Sequence, residues 1–278
     1  MDLAAAGRRK TRAARGLRRL TSTSPGGGVY SRGIARFYDL FDDECGQPGP
    51  ECALVGQLAS PGSTLLDIGA GVGNTAFGLA AAGFRVTALE PDPEMFSVLI
   101  ARLAVRNELH RNLSSVPKPA GFPLRSTFET CLCLNVLHLQ SERERKAVFE
   151  CASTHLARGG QFIFNVPTNS SARAERARGL AAERSFGEVS VQHFSALHQL
   201  PGGMWRTTWE FVVMRGGRVL EHTSRLFDWQ PIAIDELNAL AAASGLAVEA
   251  TYADFQRSPF VEGESRTATL VARCRPGS

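Results

Sequence analysis

The chain has 278 residues, of which 44% are hydrophobic and 21% charged, as in an ordinary globular protein. No apolar run approaches the roughly 20 residues that a helix needs to cross a bilayer, and this excludes a membrane-spanning protein. The formal charge of +4 lies at one end, because residues 1–24 carry seven basic side chains and one acid, and +4 minus +6 leaves −2 elsewhere. A globally basic nucleic-acid-binding surface is therefore not supported.

Residues 1–28 form an Arg-rich segment that ends in Ser24-Pro25-Gly26-Gly27-Gly28. This composition predicts a disordered basic tail, while an organelle transit peptide or an arm that binds polyanions would have a similar one. The segment lacks the apolar core of a secretory signal, so we expect a cytoplasmic protein with one folded domain over residues 29–278. The six cysteines include no CxxC pair, and we expect reduced thiols and no metal site.

The first half of the folded domain alternates helices and strands. A short helix is predicted over residues 34–41. Either Phe37 and Phe41 pack against the core, or Tyr38 of this helix and the preceding Tyr30 border a ligand pocket. Further helices are predicted over 52–59, 74–82, 93–107 and 141–157, and strands over 64–68, 86–89, 113–116, 130–136 and 161–166. Such alternation predicts a parallel sheet covered by helices on both faces.

The pattern changes after the fifth strand. Residues 172–183 are predicted to be helical, and three antiparallel strands follow over 189–200, 204–214 and 218–227. This insertion, over residues 168–230, is placed to cover the carboxyl ends of the parallel strands. A helix over 234–244 and strands over 247–252 and 267–273 then complete the main sheet.

A glycine-rich loop follows the first strand. Gly69, Gly71 and Gly73 lie between that strand and a helix, and Glu90 ends the next strand. Such a loop lets backbone amides approach a ligand, and the carboxylate can accept hydrogen bonds from a ribose diol. The spacing is GxGxG, since Asn74 takes the place of the third glycine of the dinucleotide fingerprint. A purely structural tight turn remains an alternative.

Four segments in this order resemble the class I S-adenosylmethionine-dependent methyltransferases, over about residues 30–275. The resemblance implies a seven-stranded, mostly parallel Rossmann-like sheet with helices on both faces, and an antiparallel β cap inserted after strand five. It is closest to small-molecule methyltransferases and implies S-adenosylmethionine as cofactor. The segments are Asp67-Ile68-Gly69-Ala70-Gly71-Val72-Gly73, Ala88-Leu89-Glu90-Pro91-Asp92, Cys133-Leu134-Asn135-Val136-Leu137-His138-Leu139 and Leu156-Ala157-Arg158-Gly159-Gly160-Gln161-Phe162.

The same resemblance implies a set of cofactor contacts. Asp67 would meet the methionine end, Glu90 the ribose, and Asp92 with Met95 the adenine. Many relatives carry an acid after strand three, but Leu113-Ser114-Ser115-Val116 offers none, so serine or backbone would serve there. The full set is Asp67, Gly69, Ala70, Gly71, Gly73, Glu90, Pro91, Asp92, Met95, Asn135, Val136 and Leu137.

Methyl transfer mainly requires that the methyl donor and the acceptor are aligned in a pocket that excludes water. A general base is needed only where the acceptor must lose a proton. His138, just beyond strand four, is either that base or a structural histidine. We expect a small organic acceptor, methylated on oxygen, nitrogen or activated carbon, and no nucleic acid or membrane as partner. The alternatives are a nicotinamide-dependent oxidoreductase and a non-catalytic binding module. Candidate substrate contacts are Tyr30, Tyr38, His193, Trp205, Arg225 and Asp254.

Overall fold

A computed structural model describes residues 33–41, 49–172 and 174–274. The predicted basic tail and Tyr30 lie outside the described residues. The helices are α1 (Ala35–Tyr38), α2 (Pro50–Leu58), α3 (Asn74–Ala81), α4 (Pro93–Ala104), α5 (Glu142–His155) and α6 (Ile234–Ala243). The strands are β1 (Thr64–Ile68), β2 (Arg85–Leu89), β3 (Leu113–Val116), β4 (Phe128–Cys133), β5 (Leu156–Pro167), β6 (Arg176–Phe186), β7 (Val189–Gln199), β8 (Trp205–Arg215), β9 (Arg218–Trp229), β10 (Leu246–Tyr252) and β11 (Thr267–Cys274).

Within the described ranges, seven strands form one sheet in the order β10-β11-β5-β4-β1-β2-β3. Strands β1 to β5 run parallel, while β11 is antiparallel to both β5 and β10. The strand order reverses between β1 and β4, so the carboxyl ends of these two strands border a crevice. Ligands of open α/β sheets bind in such crevices.

Local signals in the sequence set where the helices begin. The Asp92 side chain accepts hydrogen bonds from the backbone amides of Glu94 (2.9 Å) and Met95 (3.1 Å), and Pro93 occupies the first turn of α4. Ser141 and Glu144 form a reciprocal capping box at the start of α5. These caps satisfy amide groups that have no partner within the helix.

The sheet separates two apolar cores, because neighbouring strand residues point to opposite faces. On one face, Leu66 and Phe162 pack with Phe149 of α5 and Leu237 of α6. On the other, Leu65 and its neighbours pack with α2, α3 and α4. Helices therefore cover both faces of the sheet, as predicted.

A second sheet, β6-β7-β8-β9, is antiparallel and follows strand five. The predicted helix over residues 172–183 is wrong, since residues 176–186 form edge strand β6. Ala, Arg and Glu in this segment favour a helix locally, but pairing with β7 decides its conformation. Strand β4 also ends at Cys133, earlier than predicted, because Asn135 has a φ of 59° and leaves the strand.

Residues 33–41 connect the two sheets. Phe37 stacks on Phe211 of β8 with 5.0 Å between ring centroids, and Arg36 forms an ion pair with Glu221 of β9. On the opposite side, Ala35 packs with Val72 of the glycine loop. This segment, which we call the N-terminal cover, therefore lies between the second sheet and the loop that follows β1.

Candidate active site

The glycine loop has the backbone conformation that its sequence requires. Gly69, Gly71 and Gly73 have φ values of 79°, 59° and 89°, which L-residues rarely adopt. A Cβ atom on Gly69 would lie 2.9 Å from the Val136 side chain, whereas a Cβ on Gly71 would meet no atom within 4 Å. The loop is thus packed against Val136 at Gly69 and open at Gly71, where a ligand has room to approach the backbone.

Glu90 holds this loop from the end of β2. Its carboxylate accepts hydrogen bonds from the amides of Gly71 (2.7 Å) and Asp92 (2.7 Å). Burial raises the pKa of Glu90 to about 7, although the two amide hydrogen bonds act in the opposite direction. Each carboxylate oxygen has a further lone pair, so the group can still accept hydrogen bonds from a diol.

Asp67 is the second buried carboxylate of the site, with 3% of its surface exposed. Its Oδ2 atom has no hydrogen-bond partner. Burial, followed by the nearby carboxylates Glu90 and Glu51, raises the pKa of Asp67 to about 7. A buried acceptor without a partner is costly. An ammonium group, such as that of a methionine moiety, would satisfy it, and the residues present therefore fit the expected cofactor.

The remaining predicted cofactor residues surround the loop. Met95 is buried and packs with Ala35 and Val72. The amide of Gly33 in the N-terminal cover donates to Oε2 of Glu94 at 2.7 Å, at the start of α4. The cover is thereby attached to the helix that follows Pro91 and Asp92.

The turn after β4 is shaped by two asparagines. Asn135 has a left-handed backbone, and its amide donates to Oδ1 of Asn165 at 2.6 Å. Asn165 Nδ2 donates in return to Oδ1 of Asn135 at 2.8 Å. Residues 135–138 of this turn join the two halves of the site, because Val136 packs on Gly69 while Asn135 and His138 border a cavity.

This cavity has a volume of about 360 Å³ and lies between the second sheet and the ends of β4 and β5. Its lining combines aromatic rings with uncharged polar groups, and Arg176 is the one charged side chain among the described residues that line it. The lining residues are Tyr38, Asn135, His138, Leu139, Asn165, Pro167, Arg176, Leu197, Thr207, Trp209, Phe227, Trp229 and Thr267.

His138 borders the cavity from the turn. Its ring meets that of Trp229 edge-on at 5.8 Å, and its buried Nδ1 atom has no hydrogen-bond partner. Burial lowers the pKa of His138 to about 4, so the imidazole is neutral at physiological pH. A neutral imidazole can accept a proton.

The predicted substrate residues are spread over the second sheet and its surroundings. Tyr38 lines the cavity, and the other four described candidates are not among its lining residues. His193 stacks on Phe211 at 4.7 Å, and Trp205 is buried against Leu197. Arg225 pairs in register with Trp209. Asp254 accepts hydrogen bonds from the amides of Gln256 and Ser258, which fix a loop. A hydrogen bond from the Ser258 side chain, followed by those from the two amides, lowers the pKa of Asp254.

Several cavity residues were not predicted. Asn165 had a signal in the sequence, a single amide within the apolar run Phe162-Ile163-Phe164-Asn165-Val166, and it is 4% exposed. No signal in the sequence indicated that Arg176 and Thr207 line the cavity. A residue on a cap strand faces either the cavity or solvent, depending on the strand register, and the sequence does not fix that register.

Comparison with known proteins gives a family for the central segment. Residues 66–162 match a family model described as a methyltransferase domain. No protein of curated function matches the sequence. In the described part of the chain, no helix is long and apolar enough to cross a membrane.

Solved structures of methyltransferases share the fold. The CcbJ methyltransferase from Streptomyces caelestis is 22% identical, with 89% of this chain and 98% of that chain aligned at a TM-score of 0.70. The sugar N-methyltransferase KedS8 from Streptoalloteichus is 18% identical over 94% and 100%, at 0.71. CalS10, an amino pentose methyltransferase from Micromonospora echinaspora solved with S-adenosylmethionine, is 20% identical over 91% and 99%, at 0.65.

These similarities confirm the sheet with its inserted antiparallel cap. The methyltransferase-domain match covers the glycine loop, Glu90 and the turn after β4. Residues 66–162 thus match a methyltransferase domain, and the described chain has the fold of solved methyltransferases.

Proposed function

We propose that the enzyme methylates oxygen, nitrogen or activated carbon of a small organic acceptor bound in the cavity beneath the cap. The observation that carries this proposal is the continuity of the site. Val136 packs on Gly69 of the glycine loop, and its neighbour Asn135 lines the cavity. A donor on the loop and an acceptor in the cavity would therefore meet at one turn.

In this proposal the cofactor supplies an electrophilic methyl group on a positively charged sulfur. The residues that would hold it are those predicted from the resemblance. Asp67 would pair with an ammonium group, Glu90 with a ribose diol, and the open face of Gly71 would admit the ligand beside the backbone. Met95 and the N-terminal cover would exclude water from the adenine side.

The size and lining of the cavity support a small, uncharged or anionic acceptor. A volume of about 360 Å³ lies at the lower end of the range for small-molecule sites. Trp209 and Trp229 offer flat apolar surfaces, while Asn135 and Thr207 offer hydrogen bonds. The described lining includes no carboxylate, so a permanently cationic acceptor would be poorly accommodated.

Two of the similar proteins are also named for small organic acceptors. KedS8 is named as a sugar N-methyltransferase, and CalS10 as an amino pentose methyltransferase of calicheamicin biosynthesis. We infer that this chain likewise acts in specialised metabolism. Residues 29–278 would form one methyltransferase domain, with the cap insertion over about 168–230.

The proposed function is tested by binding and then by turnover. S-adenosylhomocysteine titrated into the protein should release heat in a calorimeter, and Glu90→Ala should weaken binding about 100-fold because the ribose loses its acceptor. Transfer of a labelled methyl group from S-adenosylmethionine is then measured with amino sugars and with small phenols. A folded protein that binds neither form of the cofactor, or that methylates no compound of either group, would contradict the proposal.

His138→Asn is expected to lower kcat by about 100-fold or more for an acceptor that must lose a proton, such as a phenol. With a pKa of about 4, His138 is protonated only in acid, so its contribution to kcat/KM should rise through about pH 4 and stay constant from pH 6 to 8. The measurement is the rate of S-adenosylhomocysteine formation at each pH.

His198→Asn is the matched control. His198 follows Leu197, which lines the cavity, and therefore points to the opposite face of β7. Its replacement should leave the rate unchanged. Equal rates for His138→Asn and the parent with a phenolic acceptor would remove His138 from the chemistry.

A further inference from the structure

Asn165 is an unusual residue for its place in the sheet. It lies in β5 between Phe164 and Val166, both fully buried, and is itself 4% exposed. Burying an amide costs free energy unless its hydrogen bonds are made. Both ends of this amide are used, and both partners belong to Asn135.

The reason lies in the strand pairing. Strands β4 and β5 pair up to Cys133 and Phe164, and beyond this point β4 leaves the sheet. Asn165 is the next residue of β5. Its side chain forms hydrogen bonds with Asn135 at the point where the backbone hydrogen bonds between the two strands end. It accepts from the backbone amide of Asn135 and donates to its side chain, and so it holds a left-handed conformation that is unfavourable for most residues.

We propose that Asn165 is a positioning residue, whose amide holds residues 135–138 so that Val136 stays on the glycine loop while His138 faces the cavity. No step of the reaction needs a direct contact with Asn165. The inference rests on the proposed methyl transfer, in which this turn sets the distance between donor and acceptor. A misplacement of about 1 Å at such a point is enough to lower a rate 100-fold.

Two substitutions distinguish the effect of the Asn165–Asn135 hydrogen bonds from the effect of filling the space with a side chain of similar size. Asn165→Leu has a similar shape and makes no hydrogen bond, so the turn should open. Asn165→Asp can still accept from the Asn135 amide, and its second oxygen can pair with the Asn135 side chain in either protonation state. The control is Thr269→Val, which alters a buried polar neighbour paired in register with Asn165 on β11.

The readout is the titration of the His138 ring, followed by nuclear magnetic resonance and assigned by the signal that His138→Asn lacks. In the parent, the pKa of His138 near 4 leaves the ring untitrated between pH 5.5 and 8. In Asn165→Leu the exposed ring should titrate near its usual pKa of about 6.5. Asn165→Asp and Thr269→Val should behave as the parent, and both should bind S-adenosylhomocysteine within about threefold of it.

Turnover gives a second readout. With an acceptor that the parent methylates, Asn165→Leu should lower kcat about 30-fold and change the acceptor's KM less than threefold. An unchanged His138 titration in Asn165→Leu, or equal behaviour of Asn165→Leu and Asn165→Asp, would overturn the inference. A parent without turnover would instead contradict the proposed function, and the titration would still decide the role of Asn165.

Discussion

Replacing Asp67 with asparagine is expected to abolish cofactor binding and to make the cofactor-free protein more stable at pH 8. Asp67 is buried at the end of β1, and its Oδ2 atom has no partner. An asparagine side chain there carries no charge to desolvate, but it also cannot form an ion pair with an ammonium group. We expect at least a 100-fold loss of affinity for S-adenosylhomocysteine, measured by calorimetry.

The gain in stability follows from linkage between protonation and folding. The pKa of Asp67 is about 7 in the folded protein and 3.8 as its ordinary value, so between these values the folded state binds the proton more tightly. The free energy of unfolding therefore falls as the pH rises from about 4 to 7, and stays lowered above 7. One pKa unit corresponds to about 1.4 kcal/mol, and we expect the substitution Asp67→Asn to restore roughly 1–3 kcal/mol at pH 8.

Thermal unfolding of both proteins at pH 8 and pH 5 measures this effect. The variant should have the higher melting temperature at pH 8, and the difference should shrink towards pH 5. Glu129→Gln is the control, because Glu129 accepts a hydrogen bond from Thr64 at the other end of β1. It should leave the affinity for S-adenosylhomocysteine unchanged. Tight binding by Asp67→Asn would mean that the unpaired carboxylate does not face the cofactor.

The central fold could be predicted because its signals are local. The glycines after β1, the cap at Asp92 and the capping box at Ser141 each act over a few residues, and each appears in the structure. Right-handed connections of β-α-β units place the helices on the faces of the sheet. The change of pattern after the fifth strand predicted the inserted cap and the last two strands of the main sheet.

The cap and the cavity depend on contacts between distant residues, and these were predicted less completely. Strand β6 has the composition of a helix, but its backbone pairs with β7 and most of its side chains are exposed. The residues that line the cavity come from α1, the turn after β4, β5, the four cap strands and β11, and the sequence does not state which face of each strand is turned inward. His193 and Trp205 were plausible contacts by type, and they pack against other cap residues.

Gly71→Ala is expected to lower the affinity for S-adenosylhomocysteine about 100-fold. In the structure, the added methyl group would meet no atom within 4 Å, so packing of the protein does not oppose it. Two costs remain. The φ of 59° strains an alanine by roughly 1–2 kcal/mol, and the methyl group occupies the open face on which we place the cofactor.

A matched variant separates these two costs. Gly121, in the loop between β3 and β4, has a φ of 89° and equally open surroundings. Gly121→Ala should therefore lower the free energy of unfolding by a similar 1–2 kcal/mol, measured in urea, without changing the affinity. If Gly71→Ala and Gly121→Ala bind S-adenosylhomocysteine with equal affinity, the cofactor does not bind in the open space at Gly71. If only Gly71→Ala loses binding, a general loss of stability is not the cause, and the substitution acts on the ligand at the glycine loop itself.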